Sequence, residues 1–449
     1  MPKNEKEELQ NRAAQDPCAQ AETDTANAKK RRKRPIWATL ALVLIGVGVI
    51  LVLILANIQL HVQQRTRLFS KDLTPVKVTV GEDTAWGYLN KQGELAIPAA
   101  YDEALPFAQN GLAAVKTESG WGYINTKGRE VVPCTLEDTL GFDDDALAPA
   151  KQYGLWGYIN KKGEFAIPPQ FDGARNFANS GLALVVIDEK YGYVDRSGDY
   201  VILPQYDAAR DFDQDGYAAV KAFDRWGVID KNGDFVINPR FEEIGSFSDG
   251  GIAPVRSNGK YGYVDHDGHF VMAPTLSYAA EFSSIGLAAV QLEENGLYGY
   301  VDESGELVIP ALFARALPFA QNGLAAVQID GNQNGLASVA SDGAWGYINE
   351  QGEFAIPCTL EYAGTFCGEL AAVKRDGKFS YINKSGEDVI SLNATCTMAG
   401  RFTDDGYALV HYTDAQGDRF ALIDRSGAAL GTEQLRGVDV KFLLYTVKQ

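Results

Sequence analysis

The chain has 449 residues, a net charge of −18, 46 glycines, and 21 residues each of Tyr and Phe, but only three Met and four His. This surplus of acid argues against nucleic acid and other polyanions as partners, and so few His and Cys leave little for a transition-metal centre. Abundant Gly and aromatics favour turns and strands over helices.

Residues 1–34 are polar, rich in Ala, Gln and Glu, and lack an apolar period, so they read as a disordered tail. From Ile36 to Ala56 no charge interrupts 21 residues. As a helix, at ~1.5 Å per residue, that run is long enough to cross a bilayer. It exceeds the apolar core of a cleavable leader, and no small-x-small cleavage site follows Ala56. Residues 35–58 are therefore expected to be an uncleaved signal anchor. Lys29, Lys30, Arg31, Arg32, Lys33 and Arg34 precede it, whereas Arg65, Arg67 and Lys71 follow more sparsely. This asymmetry places the N-terminus in the cytoplasm and everything after residue 58 outside the membrane. Residues 1–58 carry nine Lys/Arg against six Asp/Glu, a net of +3, which leaves −21 for the remainder. Residues 59–74 read as a short polar stalk, and 75–449 as the folded outer domain.

Within that domain the chain repeats itself. "WGYIN" followed by "GEFAIP" occurs at 156–168 and again at 345–357. The motif starts at Trp86, Trp121, Trp156, Tyr191, Trp226 and Tyr261 with a period of 35, then at Tyr298, Trp345, Phe379 and Phe420, ten copies in all. The first eight continue with Gly: Gly87, Gly122, Gly157, Gly192, Gly227, Gly262, Gly299 and Gly346. Asn or Asp stands four residues after each aromatic, from Asn90 to Asp424, and Gly three residues later, from Gly93 to Gly427. An Asx side chain capping its own turn, with Gly supplying φ > 0, predicts a tight β-hairpin. A Pro twelve or thirteen residues after the aromatic is expected to close the second strand. A third strand, as in "GLAAV", follows a Phe such as Phe107 or Phe319. These strands are apolar on both faces, so neighbouring units are expected to pack face to face, with the motif Gly giving room for the approach.

On these residues the sequence resembles the WG-repeat (WG β-repeat) family, found in many bacterial proteins. The resemblance covers about residues 80–449 and implies an all-β repeat domain that acts in binding, without shared catalytic residues. The expected architecture is all-β, about ten three-stranded antiparallel repeats of 35 residues. Because 35 residues is short for a four-stranded blade and ten units exceed the usual ~4–8 blades, an open, superhelical, solenoid-like array is favoured. A propeller-like ring is the alternative, which "VDVKFLLYTV" (438–447) would close as an added strand.

Candidate sites compete with structural readings. The motif aromatics could stack on sugars, but Trp, Tyr and Phe interchange there, as in a core. An acid sixteen residues after the aromatic (Asp102, Glu137, Asp172, Asp207, Glu242, Glu361) reads as a carboxylate capping a backbone N–H. "DFDQDG" (Asp211, Asp213, Asp215) and "DGNQNG" (Asp330, Asn332, Asn334) place oxygens at alternate positions before Gly, as calcium loops do, but neither has Glu at the twelfth position. The second is the weak calcium candidate, since it lies in the longest insertion. His266 and His269 in "DHDGH" read as a variant turn. Of the outer cysteines Cys134, Cys358, Cys367 and Cys396, three cluster near the end, where a disulfide is permitted but its pairing is left open. No cofactor and no catalytic set is expected. The chain reads as a single-pass, non-catalytic surface protein at the cell membrane whose repeats bind a protein or envelope glycan. The alternatives are a structural spacer or assembly factor, and an enzyme that processes glycans.

Overall fold

Ten small antiparallel sheets follow one another along the chain, one for each copy of the motif. The computed structural model describes residues 67–80, 83–142, 146–329, 343–415, 417–430 and 438–439. The apolar run at 36–56 and the candidate loop with Asp330, Asn332 and Asn334 lie outside the described residues. Among the described residues there is no helix, and none long and apolar enough to cross a membrane.

The second sheet shows the plan. Glu103–Ala104, Leu112–Thr117, Gly120–Asn125 and Glu130–Leu136 lie side by side in that order. The three longer strands are those read from the sequence. The fourth, two residues long, leaves too little alternation to be seen in a sequence. It pairs at the outer side of the "LAAV" strand, Glu103 opposite Lys116 and Ala104 opposite Val115. The hairpin turn forms as the Asx and Gly residues demand. Asn90 Oδ1 accepts the backbone N–H groups of Gln92 and Glu94, and Gly93 takes φ 79°.

The motif Gly and the Pro have a shared cause within one sheet. Trp121 lies opposite Leu136 and Tyr123 opposite Val132, so two residues on one strand face four on the other. The strand Glu130–Leu136 bulges there, and Pro133 sits in the bulge instead of ending the strand, because a bulged residue owes no ladder bond. The bulge brings the partner backbone over the motif Gly. A Cβ on Gly192 would stand 2.6 Å from the Pro204 nitrogen and 2.7 Å from the Ile202 carbonyl oxygen. The Gly thus admits a strand of its own sheet, not a neighbouring unit. In the ninth unit Ser380 replaces Gly, and there Ser380 pairs with Ser391 and Tyr381 with Ile390 without a bulge between them.

Neighbouring sheets pack through the residue two positions beyond the motif aromatic. Tyr88, Tyr123, Tyr158, Tyr193, Tyr263, Tyr300, Tyr347 and Tyr381 are among the largest fully buried side chains. Each ring lies against a Phe of the next unit, with centroids 4.7 to 5.0 Å apart. Most of the hydroxyls reach a backbone carbonyl of that unit, for example Tyr193 to Arg210 at 2.6 Å and Tyr300 to Leu317 at 2.7 Å. Tyr123 instead meets the Thr139 hydroxyl, which donates to the Pro149 carbonyl. At these eight seams one side chain therefore supplies both apolar area and a satisfied buried polar group.

The array closes into a propeller-like ring, the alternative to the open spiral. The first sheet (Leu73–Val80, Asp83–Asn90, Leu95–Tyr101) takes its fourth strand from Val438–Asp439 near the far end of the chain. The Asp405 carboxylate accepts the backbone N–H groups of Leu68 and Phe69 at 2.8 to 3.1 Å. Leu68, Phe69, Val76 and Leu89 share one buried cluster with Leu409 and Leu422 of the last unit. Residues 68–74 consequently belong to the ring and not to a polar stalk. Ten sheets fit one turn because closure depends on the rotation between sheets, which a 35-residue period does not report.

Candidate functional site

Most positions singled out in the repeat are engaged in holding it. Trp86 and Trp121 are buried, while Trp156, Tyr191, Trp226, Tyr261, Tyr298 and Trp345 are half-buried. Cations cover several of these rings: Lys116 over Trp121 at 5.8 Å, Arg210 over Trp226 at 5.3 Å and Arg256 over Tyr261 at 5.6 Å. Most of the recurring acids cap the turn between the next two strands. Glu137 accepts the Gly154 N–H, Asp172 that of Asp188, Glu242 that of Gly259 and Glu361 that of Gly377, at 2.7 to 3.0 Å. The Gly259 N–H and the Arg225 guanidinium hold the Glu242 carboxyl below its usual range, and the Gly377 N–H and Lys374 do the same for Glu361.

The remaining candidates are placed as follows. Asp211, Asp213 and Asp215 do not converge: Asp211 pairs with Arg175 at 3.3 Å, and Asp213 accepts the Tyr217 N–H. Asp265, Asp267 and His269 bring their ligand atoms within 4.8 Å of one another at an exposed turn. His266 turns away from them and lies against Phe247 and Tyr217, with centroids 4.2 and 4.6 Å apart. Cys134, Cys358, Cys367 and Cys396 are buried free thiols, and burial pushes the Cys358 thiol up to about 12. A shallow depression of about 410 Å³ at Asp404–Tyr407 and Asp424–Ser426 includes Asp405, which closes the ring.

What departs from the repeat lies between the fifth and sixth units. Val228 occupies the position that holds the buried Tyr in eight other units. Without that ring a cavity of about 90 Å³ remains, with Val228, Ala219, Tyr217 and Phe247 as its apolar side. Its polar side is Arg210, Asp211, Asp213, Gly245 and Ser246. Phe247 is half-buried, as is Phe282 at the same position of the next unit.

The mouth of the cavity belongs to a row of polar residues one and two positions beyond the start-of-unit pairs Gly173-Ala174, Ala208-Ala209, Glu243-Ile244 and Tyr278-Ala279. In successive units the row reads Arg175-Asn176, Arg210-Asp211, Gly245-Ser246 and Ala280-Glu281, whereas other units have Leu105-Pro106, Leu140-Gly141, Leu317-Pro318 or the uncharged Gly364-Thr365. Members of the row touch from unit to unit: Arg175 with Asp211, and the Ser246 N–H donating to Glu281 at 2.8 Å. Desolvation raises the Asp211 carboxyl against the pull of Arg175, although its side chain is 44 % exposed. A group that meets solvent yet is crowded by protein faces a concave space, and solvent there screens much of the shift. Desolvation likewise lowers the Arg210 guanidinium, with Glu281 opposing. The row went unread in the sequence because its residues were aligned only as loop positions. The signal that would have found it is Val228, the one non-aromatic residue among the first nine copies at that position.

The chain belongs to a repeat family. The model of the WG containing repeat matches residues 86–120, 121–156, 156–191, 191–222, 226–261, 261–295, 298–332 and 345–379, well over half of the chain. No curated protein matches the sequence. Among solved structures the chain is similar to a eukaryotic initiation factor, with 9 % identity, 80 % of this chain and 95 % of that one covered, and a TM-score of 0.43. It is also similar to dihydro-heme d1 dehydrogenase NirN in complex with DHE, with 13 % identity, coverage of 80 % and 72 %, and a TM-score of 0.36. Kluyveromyces lactis Hsv2 matches at 7 % identity, with coverage of 54 % and 89 % and a TM-score of 0.30.

Proposed function

We propose that this is a membrane-anchored, non-catalytic surface protein of bacterial type whose WG-repeat ring binds a protein partner through the polar row from Arg175 to Glu281 and the cavity beside Val228. The observation that carries the reading is the contrast between that region and the rest of the ring. Elsewhere the recurring acids, aromatics and turn residues are committed to caps, seams and hairpins. Here unit-to-unit contacts, opposite charges and a cavity depart from the repeat together. The uncharged run at 36–56 behind six consecutive basic residues supports the anchor and its orientation. The non-catalytic reading rests on the recurring carboxylates, which accept backbone N–H groups in turns instead of facing one another across a groove. A protein is favoured over a glycan because cations lie over several motif rings, where a sugar would stack.

The test immobilises the full chain in lipid discs and exposes it to the protein and polysaccharide fractions of a bacterial envelope. Retention of protein, reduced at least tenfold by Arg210→Ala with Asp211→Ala, is expected. Retention of polysaccharide alone, or hydrolysis of any polymer, refutes the reading. A reporter fused after Gln449 is expected to work only outside the cytoplasm.

A further inference from the structure

The cavity beside Val228 keeps both partners of the side chain that is missing from it. In the neighbouring fourth unit, Tyr193 places its ring 4.7 Å from Phe212 and donates its hydroxyl to the carbonyl of Arg210, seventeen residues on. The same geometry recurs with Tyr263, Phe282 and the Ala280 carbonyl, and with Tyr300, Phe319 and the Leu317 carbonyl. Counting on from Val228 by the same steps gives Phe247 and the carbonyl of Gly245, and both line the cavity. The Gly245 N–H is bonded to the Pro254 carbonyl, but among the described residues no donor reaches the Gly245 carbonyl.

Size and polarity agree with that register. At about 90 Å³ the cavity is well above the ~10–15 Å³ that a single water needs, which leaves room for a small organic group. The walls are apolar where a ring would lie, formed by Val228, Ala219 and Phe247. The polar groups gather on the other side, at Arg210, Asp211 and Ser246. An apolar pocket with a few converging polar groups is the usual form of a small-ligand site. His266 stacks on Phe247 and, in turn, against Tyr217.

We infer that this cavity is a receptor for a para-hydroxyphenyl group, which replaces the missing tyrosine by lying against Phe247 and donating its hydroxyl to the Gly245 carbonyl. The inference rests on the binding role proposed above, and there the group would be a tyrosyl side chain of the partner. A free phenol offers the same chemistry.

The probe is p-cresol, the tyrosine side chain as a free molecule, titrated into the full chain and followed by ligand-observed NMR with saturation of the protein's upfield methyl protons and readout on the p-cresol ring protons. Saturable binding is expected, weakened at least fivefold for toluene, which lacks the hydroxyl. Val228→Tyr should fill the cavity, abolish binding and raise the melting temperature. Val228→Phe supplies the ring without the hydroxyl and should also abolish binding, so the test does not depend on one variant folding. Absence of p-cresol binding, or binding unchanged in a folded Val228→Phe chain, overturns the inference even if the ring still retains a protein. Competition between p-cresol and the retained protein supports a tyrosyl source. If p-cresol binds without displacing the protein, the tyrosyl source is refuted and the free phenol stands.

Discussion

The motif Trp-Gly divides its labour between two residues with different constraints. The aromatic tolerates Trp, Tyr or Phe because most copies are only half-buried and their faces are partly covered by cations. The Gly tolerates nothing larger where the partner strand bulges, because a Cβ would meet backbone atoms that no side-chain motion can clear. For Gly192→Ala the new methyl would stand 2.6 Å from the Pro204 nitrogen. The expected outcome is a loss of about 1–3 kcal/mol, the usual range for overpacking, read as a lower urea midpoint with an unchanged slope. The ninth unit shows the same rule in reverse: Ser380 stands where no bulge forms and donates its hydroxyl to Asp388 at 2.6 Å. A wild-type midpoint for Gly192→Ala would mean that the strand can relax its bulge, and that the Gly has another reason.

At the scale of strands and turns, what was legible depended on how local the cause is. The Asx-x-x-Gly turn could be read because both requirements, a short side-chain acceptor and φ > 0, sit within four residues. The third strand could be read from its apolar run. The bulge around Pro133 could not, because it arises from register with a strand eight or more residues away. The two-residue strands carry too little pattern, and the Tyr–Phe seam links residues of different units. The acids that cap the turns show what such local devices imply for stability. Glu242 and Glu361 are held below their usual range first by a backbone N–H, Asp302 and Asp424 first by the hydroxyls of Ser304 and Ser426. A folded-state value below the unfolded one means that the folded chain binds fewer protons. Their contribution is therefore complete above the unfolded carboxylate range, near pH 4, and is lost as pH falls through the lower folded values. The melting temperature should stay level from about pH 7 to pH 5 and fall steadily below about pH 4. Asp211, with its raised value, runs the other way, but it is one group against several. Glu242→Gln should lower the melting temperature at neutral pH and flatten its acid decline, and a curve that stays level to pH 3 would contradict the assignment.

The ring as a whole depends on one seam that differs from the others. Between most units the chain itself runs on, and a buried Tyr fixes the next sheet. Between the last unit and the first there is no such continuity, and Leu422 stands at the tyrosine position. Three devices replace it: Val438–Asp439 added to the first sheet, the Asp405 carboxylate on two backbone N–H groups, and Phe69 edge-on to Tyr407 at 4.8 Å. In an open stack each unit answers only to its neighbours, whereas a closed ring lets its seam govern the opening of both ends. Asp405→Ala leaves the N–H groups of Leu68 and Phe69 without an acceptor beside a buried cluster, at about 1–3 kcal/mol for an unsatisfied group. The loss should appear locally. Hydrogen exchange should quicken at least fivefold in the strands Leu73–Val80 and Tyr407–Asp414, and stay unchanged in Arg225–Ile229 on the fifth unit. Uniform quickening of all ten sheets would show instead that the ring opens as one cooperative body, and no quickening at all would assign the seam to the added strand and the aromatic pair.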